Sequence, residues 1–100
     1  MGARHIPYAE DGRGSPREVA AELAEHGRPS TWSNGPGTRY DRHQHDYRKL
    51  LVCTQGSIIF HTDEGDVVLG PGDCLDLDPH TGHAATVGPE GVTCVEVASR

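Results

Sequence analysis

Three histidines are the strongest candidates for a chemical function in this sequence. His43 and His45 lie two positions apart, and His83 follows the turn-forming stretch DPHTG. Residues two apart on a β-strand point to the same face, so a strand here would direct the first two imidazoles into one space. Three neutral imidazoles from two segments can hold a divalent transition metal and leave coordination positions open. The pattern predicts a metal site at His43, His45 and His83 for Zn, Ni, Cu or Fe; the alternative is a group of mouth histidines without a metal.

The same alternation continues through Tyr47, Lys49, Leu51 and Cys53. Polar groups at one end of this face and apolar groups at the other suggest a barrel with a lined mouth and a filled floor, where Cys53 is packing. Tyr47 is interpreted either as a binding residue that donates its hydroxyl to a ligand or as an aromatic wall. Lys49 is a candidate to bind an anionic group of a small-molecule ligand.

Other polar and aromatic residues are weaker candidates for a functional role. His61, on a later strand, is a candidate fourth metal donor, whereas Trp32 is expected to pack the barrel end or a subunit interface. Strand alternation predicts a solvent-facing position for five further side chains: Gln44, Asp46, Arg48, Asp76 and Asp78. The sequence contains no nucleophile triad, phosphate loop or dinucleotide fingerprint.

Charge and composition exclude several classes of protein. The formal net charge of −6 is unlike that of a nucleic-acid-binding protein, which usually carries a basic stripe. No stretch is long and apolar enough to span a membrane or to act as a signal peptide, so a cytoplasmic location is expected. Three cysteines, odd in number and widely spaced, are expected to be reduced thiols in the core.

The elements that must position these residues are one helix and a set of short strands. Residues 1–14 are predicted to be a loose arm, in which 6–8 could form a short edge strand, and residues 15–100 a single domain with a barrel over about 30–98. Ser15 followed by Pro16 and Glu18 is a capping box, and Gly27 ends the pattern, so a helix is predicted over 15–26.

After Pro29 the helical period gives way to strand-like runs separated by turn residues every 8–12 positions, which is typical of an antiparallel sandwich or barrel. The runs are 31–33, 38–53 (with a possible interruption), 58–61, 67–69, 74–77, 84–87 and 92–97. Turns are predicted at 34–37, 54–56, 63–66, 70–73 and 88–91. The fold class is therefore all-β, with one short N-terminal helix.

These residues resemble the two sequence motifs of the cupin family. Gly37, His43, His45 and Gly56 have the spacing of the first motif. A second set, Gly72 and His83 with the turn at 70–73, keeps the outer spacing of the second motif; inside it Pro79 and Gly82 are shifted, and Val87 replaces an asparagine. The resemblance implies a small antiparallel jelly-roll barrel.

The resemblance also implies a function, with one departure. Lys49 stands where the family motif has a metal-binding glutamate, and an ammonium repels a cation. Lys49 then either binds an anionic substrate beside a three-histidine metal or replaces the metal's charge in a metal-free barrel. The family's activities imply a metal-dependent dioxygenase, isomerase or decarboxylase, with a non-catalytic binding module as the alternative. Small cupins commonly pair, so a homodimer is expected.

Overall fold

The computed structural model describes residues 2–7 and 14–99. Its elements, in chain order, are β1 (Ala3–Ile6), α1 (Pro16–Ala21), a 3₁₀ helix (Glu22–Glu25), β2 (Ser30–Asn34), β3 (Arg39–His43), β4 (Arg48–Thr62), β5 (Gly65–Leu69), β6 (Cys74–Leu77) and β7 (His83–Ser99). The all-β fold class with one short helix is confirmed.

The helix begins where the sequence predicts. Ser15 accepts a hydrogen bond from the backbone of Glu18, and the Glu18 side chain accepts one from the backbone of Ser15. This capping box satisfies two of the backbone N–H groups that a helix start leaves open. Val19 and Leu23 are buried against the outer face of the sheet, in a cluster that includes Leu50 from β4. The helix therefore covers the outside of the barrel.

The long strands β4 and β7 pair with each other along nearly their whole length and join two halves of the sheet. In one half, the order is β1-β6-β4-β7-β2; in the other, the far ends of β4 and β7 pair with β5 and β3. All pairings are antiparallel. Side chains from both halves share one core, which indicates that the halves face each other. This core is the floor of the barrel.

Two of the predicted turns are instead irregularities inside the long strands. Register shifts occur at 53–58 of β4, opposite residues 88–91 of β7. Gly56 and Gly91 face each other there with positive φ angles of 73° and 80°, and a Cβ atom on Gly56 would collide with the backbone carbonyl of Gly91. Bulges bend a strand without ending it. The two glycines therefore mark the line along which the sheet bends between its two halves, which we call the fold line. The sequence pattern suggested chain reversals at these positions.

The loose N-terminal arm is corrected for residues 3–6, which form an edge strand paired with β6; the remaining arm residues 8–13 lie outside the described residues. Asp76 on β6 is also corrected: its side chain is only 8% exposed. It accepts hydrogen bonds from Arg4 of β1 and Arg48 of β4. Arg48 is accordingly half-buried and not solvent-facing, because a buried carboxylate requires partners. Gln44, Asp46 and Asp78 are exposed as predicted.

Among the described residues, no helix is long and apolar enough to cross a membrane.

Candidate metal centre and adjoining cavity

The three histidines come from three different places at one end of the barrel. His43 is the last residue of β3 and His83 is the first of β7, and the two are register partners across the sheet. His45 lies in the loop after β3, where its carbonyl accepts a hydrogen bond from the backbone of His80 at 2.6 Å. The predicted run from 38 to 53 is interrupted at 44–47, and the loop carries His45 to the other two imidazoles.

The imidazoles are close enough to share one ion. One ligand atom from each of His43, His45 and His83 lies within 4.8 Å of the others. Ring centroids are 4.9 Å apart for His43 and His45, 4.4 Å for His43 and His83, and 5.3 Å for His45 and His83. Ligand nitrogens about 2.0–2.1 Å from a common Zn²⁺ would be roughly 3–4 Å apart, so a modest adjustment of side chains would suffice.

Hydrogen bonds set two of the three rings in the form that a metal requires. Nδ1 of His43 donates to the carbonyl of Asp41 at 2.7 Å, and Nδ1 of His83 donates to that of Thr81 at 2.9 Å. With Nδ1 protonated, Nε2 carries the free lone pair. The Nε2 atoms of His45 and His83 are buried and have no hydrogen-bond partner among the described residues. Buried polar atoms without a partner are unusual and fit a missing ligand.

Electrostatics also disfavour the charged forms of His45 and His83. Burial lowers the pKa of His45, and the neighbouring Lys49 and His43 lower it further. Burial is likewise the main reason that the pKa of His83 is lowered, against the opposing effect of its bond to Thr81. Because metal ligands must be deprotonated, a site that disfavours imidazolium suits a cation.

Lys49 has a partner that the sequence analysis missed. Its ammonium is 3.1 Å from Oε1 of Glu96 on β7, and the Lys49 side chain is 12% exposed. The same Oε1 accepts a hydrogen bond of 2.7 Å from the indole N–H of Trp32 on β2. The available signal was strand phase: Glu96 follows Cys94 by two positions, so it shares the interior face with that buried residue.

A cavity of about 230 Å³ adjoins the histidines. Its walls combine polar and apolar side chains: Trp32, Asn34, Tyr40, His43, Lys49, Ile58, Phe60, His83, Ala85 and Glu96. Trp32 therefore faces the interior of this barrel and not only its end. A concave site of this kind, mostly apolar with a few convergent polar groups, is typical of small-molecule binding.

Two other candidates have distinct positions. The ring of Tyr47 stacks on His45 with centroids 4.9 Å apart, which places it as an aromatic wall beside the histidines. A direct contact of its hydroxyl with a ligand stays a prediction. His61 does not join the cluster: its ring nitrogens lie 2.8 Å from Asp66 and 2.9 Å from Thr86. The prediction that His61 is a fourth metal donor is therefore wrong, because strand phase directs its side chain to the outer face.

A match to a protein-family model identifies the family of this chain. The model for the AraC-like ligand-binding domain matches residues 33–95, which include all three histidines. The chain belongs to this family. No curated protein matches the chain. The AraC-like match and the solved structures below together confirm a small cupin.

Solved structures share the fold of this AraC-like domain at low identity. A cupin superfamily protein from Desulfitobacterium hafniense is 21% identical, with a TM-score of 0.65 over 71% of this chain and 64% of the other. KdgF from Halomonas sp. is 22% identical, with a TM-score of 0.62 over 72% and 68%. A DUF861 family protein from Thermotoga maritima is 13% identical, with a TM-score of 0.68 over 96% and 98%. Matches to the first three solved structures cover 38 to 64% of those chains.

Proposed function

We propose that this cupin binds a divalent transition metal through His43, His45 and His83 and takes a small molecule in the adjoining cavity. The observation that carries the proposal is the pair of buried, unpartnered Nε2 atoms on His45 and His83, within reach of a ligand atom of His43. A bound metal would act as a Lewis acid that polarises an oxygen of the ligand. Imidazole donors suit Zn, Ni, Cu or Fe.

The metal-free alternative, in which Lys49 replaces the charge of the ion, is less well supported. In that arrangement the ammonium should satisfy the histidine acceptors. Instead Lys49 pairs with Glu96 at 3.1 Å, while Nε2 of His45 and Nε2 of His83 have no partner among the described residues. A buried polar atom that lacks a partner costs about 1–3 kcal/mol of folding free energy, which a bound metal would recover.

The ligand is proposed to be a small anion, such as a carboxylate. Lys49 lines the cavity, and an ammonium has three N–H donors, of which the contact with Glu96 occupies one. An anionic group at the cavity face of Lys49 would also be attracted by the metal. The apolar walls, including Ile58 and Phe60, would contact the remainder of the ligand.

Metal analysis of the purified full chain tests the metal site. We expect close to one equivalent of transition metal after dialysis against excess ion. The double variant His43→Ala/His45→Ala should lose nearly all of it, because one remaining imidazole binds weakly. His26→Ala is the matched control, since His26 is exposed at the end of the 3₁₀ helix, and it should retain the metal. Equal metal content in all three proteins would refute the site.

A second candidate function is capture of the ligand without turnover. The family description, a ligand-binding domain, favours this candidate. The open coordination positions of a three-histidine ion favour the first candidate, a metal-dependent enzyme such as a dioxygenase, isomerase or decarboxylase. The two differ in one measurement: a catalyst converts a bound carboxylate when metal-loaded, whereas a binding module returns it unchanged.

A further inference from the structure

Two buried cysteines lie directly opposite each other on the two longest strands. Cys53 of β4 and Cys94 of β7 are register partners in the antiparallel ladder. Both are free, both have 0% exposure, and both belong to the interior core cluster. Their side chains therefore point to the same side of the sheet, toward each other and not to opposite faces.

The hydrogen-bond pattern defines the kind of pair that they form. The backbone N–H of Cys53 donates to Asp73 at 3.1 Å, and its carbonyl accepts from Gly72 at 2.7 Å. Both polar groups thus point away from β7, so Cys53 and Cys94 face each other as a non-hydrogen-bonded pair. Cα atoms in such pairs are about 4.5 Å apart. That spacing lies inside the range of roughly 4.4–6.8 Å that a disulfide spans.

Electrostatics make the two thiols chemically inequivalent. A hydrogen bond from Cys94 is the main cause that lowers the pKa of Cys53, and the same bond raises the pKa of Cys94 above its ordinary value. Cys53 also contacts the carbonyl of Gln55 at 3.4 Å, beside the bulge of β4. The bulge gives β4 local freedom to adjust around Cys53.

We propose that Cys53 and Cys94 are a redox modification site at which hydrogen peroxide forms an intrachain disulfide. The Cys53 sulfur attacks the peroxide, an S–O bond forms as the O–O bond breaks, and one water is released. Cys94 then attacks the Cys53 sulfur, the S–S bond forms as the S–O bond breaks, and a second water leaves. Two thiols lose two electrons and two protons, and peroxide is reduced to two waters.

The proposed route to the pair runs from the cavity, which neither thiol lines. Trp32 and Tyr40 line the cavity and also pack on the core cluster that contains both thiols. Peroxide is little larger than water, so small movements of these rings admit it. Cys74 has a different position: it lies in the outer cluster beneath the helix, away from the interior pair.

Peptide mapping of the folded full chain tests the proposal. The reduced protein is treated with hydrogen peroxide in the presence of a chelator, which prevents metal-catalysed oxidation, and its remaining thiols are blocked with N-ethylmaleimide in denaturant. Cleavage after Glu64 and Glu90 places each of the three cysteines on its own peptide. We expect a loss of two hydrogens, one maleimide in place of three, a cross-link between the peptides of Cys53 and Cys94, and recovery of three thiols with dithiothreitol.

Variants separate this pair from general oxidation. Cys74→Ala should form the cross-link at the wild-type rate, whereas Cys94→Ala should not form it. If Cys94→Ala fails to fold, the wild-type peptide map alone decides. Three blocked thiols after peroxide treatment, a cross-link that contains Cys74, or sulfinic acid on Cys53 without a cross-link would each overturn the proposal.

Discussion

At the scale of single residues, the acceptor atoms of the histidines carry the functional argument. The sequence predicted their meeting from the spacing of His43 and His45 and from the cupin resemblance around His83, and the cluster is observed. Sequence could not predict the tautomers. These depend on the backbone carbonyls of Asp41 and Thr81, each two positions before its histidine, whose direction is set by the chain path.

The ion-pair partner of Lys49 could not be predicted from the pattern of its own strand. Its position in the interior was predicted, but its partner Glu96 comes from β7, 47 positions later (96 − 49 = 47). Only the pairing of β4 with β7, which aligns Leu51 with Glu96, brings the two side chains together. Because single-sequence patterns do not fix strand order, the carboxylate beside Lys49 was missed.

Breaking this ion pair from one side should destabilise the protein. Lys49→Met should cost about 1–3 kcal/mol of unfolding free energy, because the carboxylate of Glu96 then lacks its charged partner. Glu96→Gln should cost a similar amount for the opposite reason. The double variant Lys49→Met/Glu96→Gln should lose less than the sum of the two single losses.

Chemical denaturation of the four proteins measures these free energies. Additive losses would show that the 3.1 Å contact does not couple the two residues in solution. In that case the ammonium of Lys49 would be free to interact with the histidines, and the argument against a metal-free site would fail.

At the scale of elements, Asp76 of β6 forms ion pairs with residues of two neighbouring strands, and the sequence pattern did not predict these contacts. Alternation with Leu75 and Leu77 suggested a solvent-exposed face, yet the helix packs on that face of the sheet, and β1 pairs with the edge of β6. Arg4 and Arg48, from β1 and β4, supply the charges that permit its burial. The arm was predicted to be loose because the four residues 3–6 carry no strong apolar pattern; their pairing depends on an available sheet edge and on this carboxylate.

Asp76 should contribute stability that is lost in acid. The hydrogen bond from Arg48, followed by the charges of Arg48 and Arg4, keeps the pKa of Asp76 below its ordinary value despite burial. The folded state therefore favours the carboxylate: this stabilisation is complete above the ordinary pKa and is lost as pH falls through the lowered one, below about pH 4.

Comparison of wild type with Asp76→Asn over pH measures this contribution. At neutral pH the variant should be less stable by about 1–3 kcal/mol, and the difference should shrink in the acid range. Asp63→Asn is the control, because Asp63 pairs with Arg42 at 2.8 Å but is largely exposed, and it should cost less than about 1 kcal/mol. A difference between wild type and Asp76→Asn that does not change with pH would contradict the assignment.

At the scale of the whole molecule, the barrel was predictable and its fold line was not. Short apolar runs and regular turn signals indicated an antiparallel barrel, which the paired halves confirm. Glycines at 56 and 91 were interpreted as turns because turns and bulges use the same residues with positive φ. The consequence is functional: two continuous strands bring His83, Lys49 and Glu96 around one cavity.

X-ray absorption spectroscopy of the metal-loaded full chain tests the central claim most directly. If His43, His45 and His83 hold the ion, the zinc-loaded protein should give a first shell that contains three imidazole nitrogens at about 2.0–2.1 Å, with oxygen in the remaining positions. A first shell of oxygen alone, a sulfur scatterer at about 2.3 Å, or a single imidazole would contradict the account.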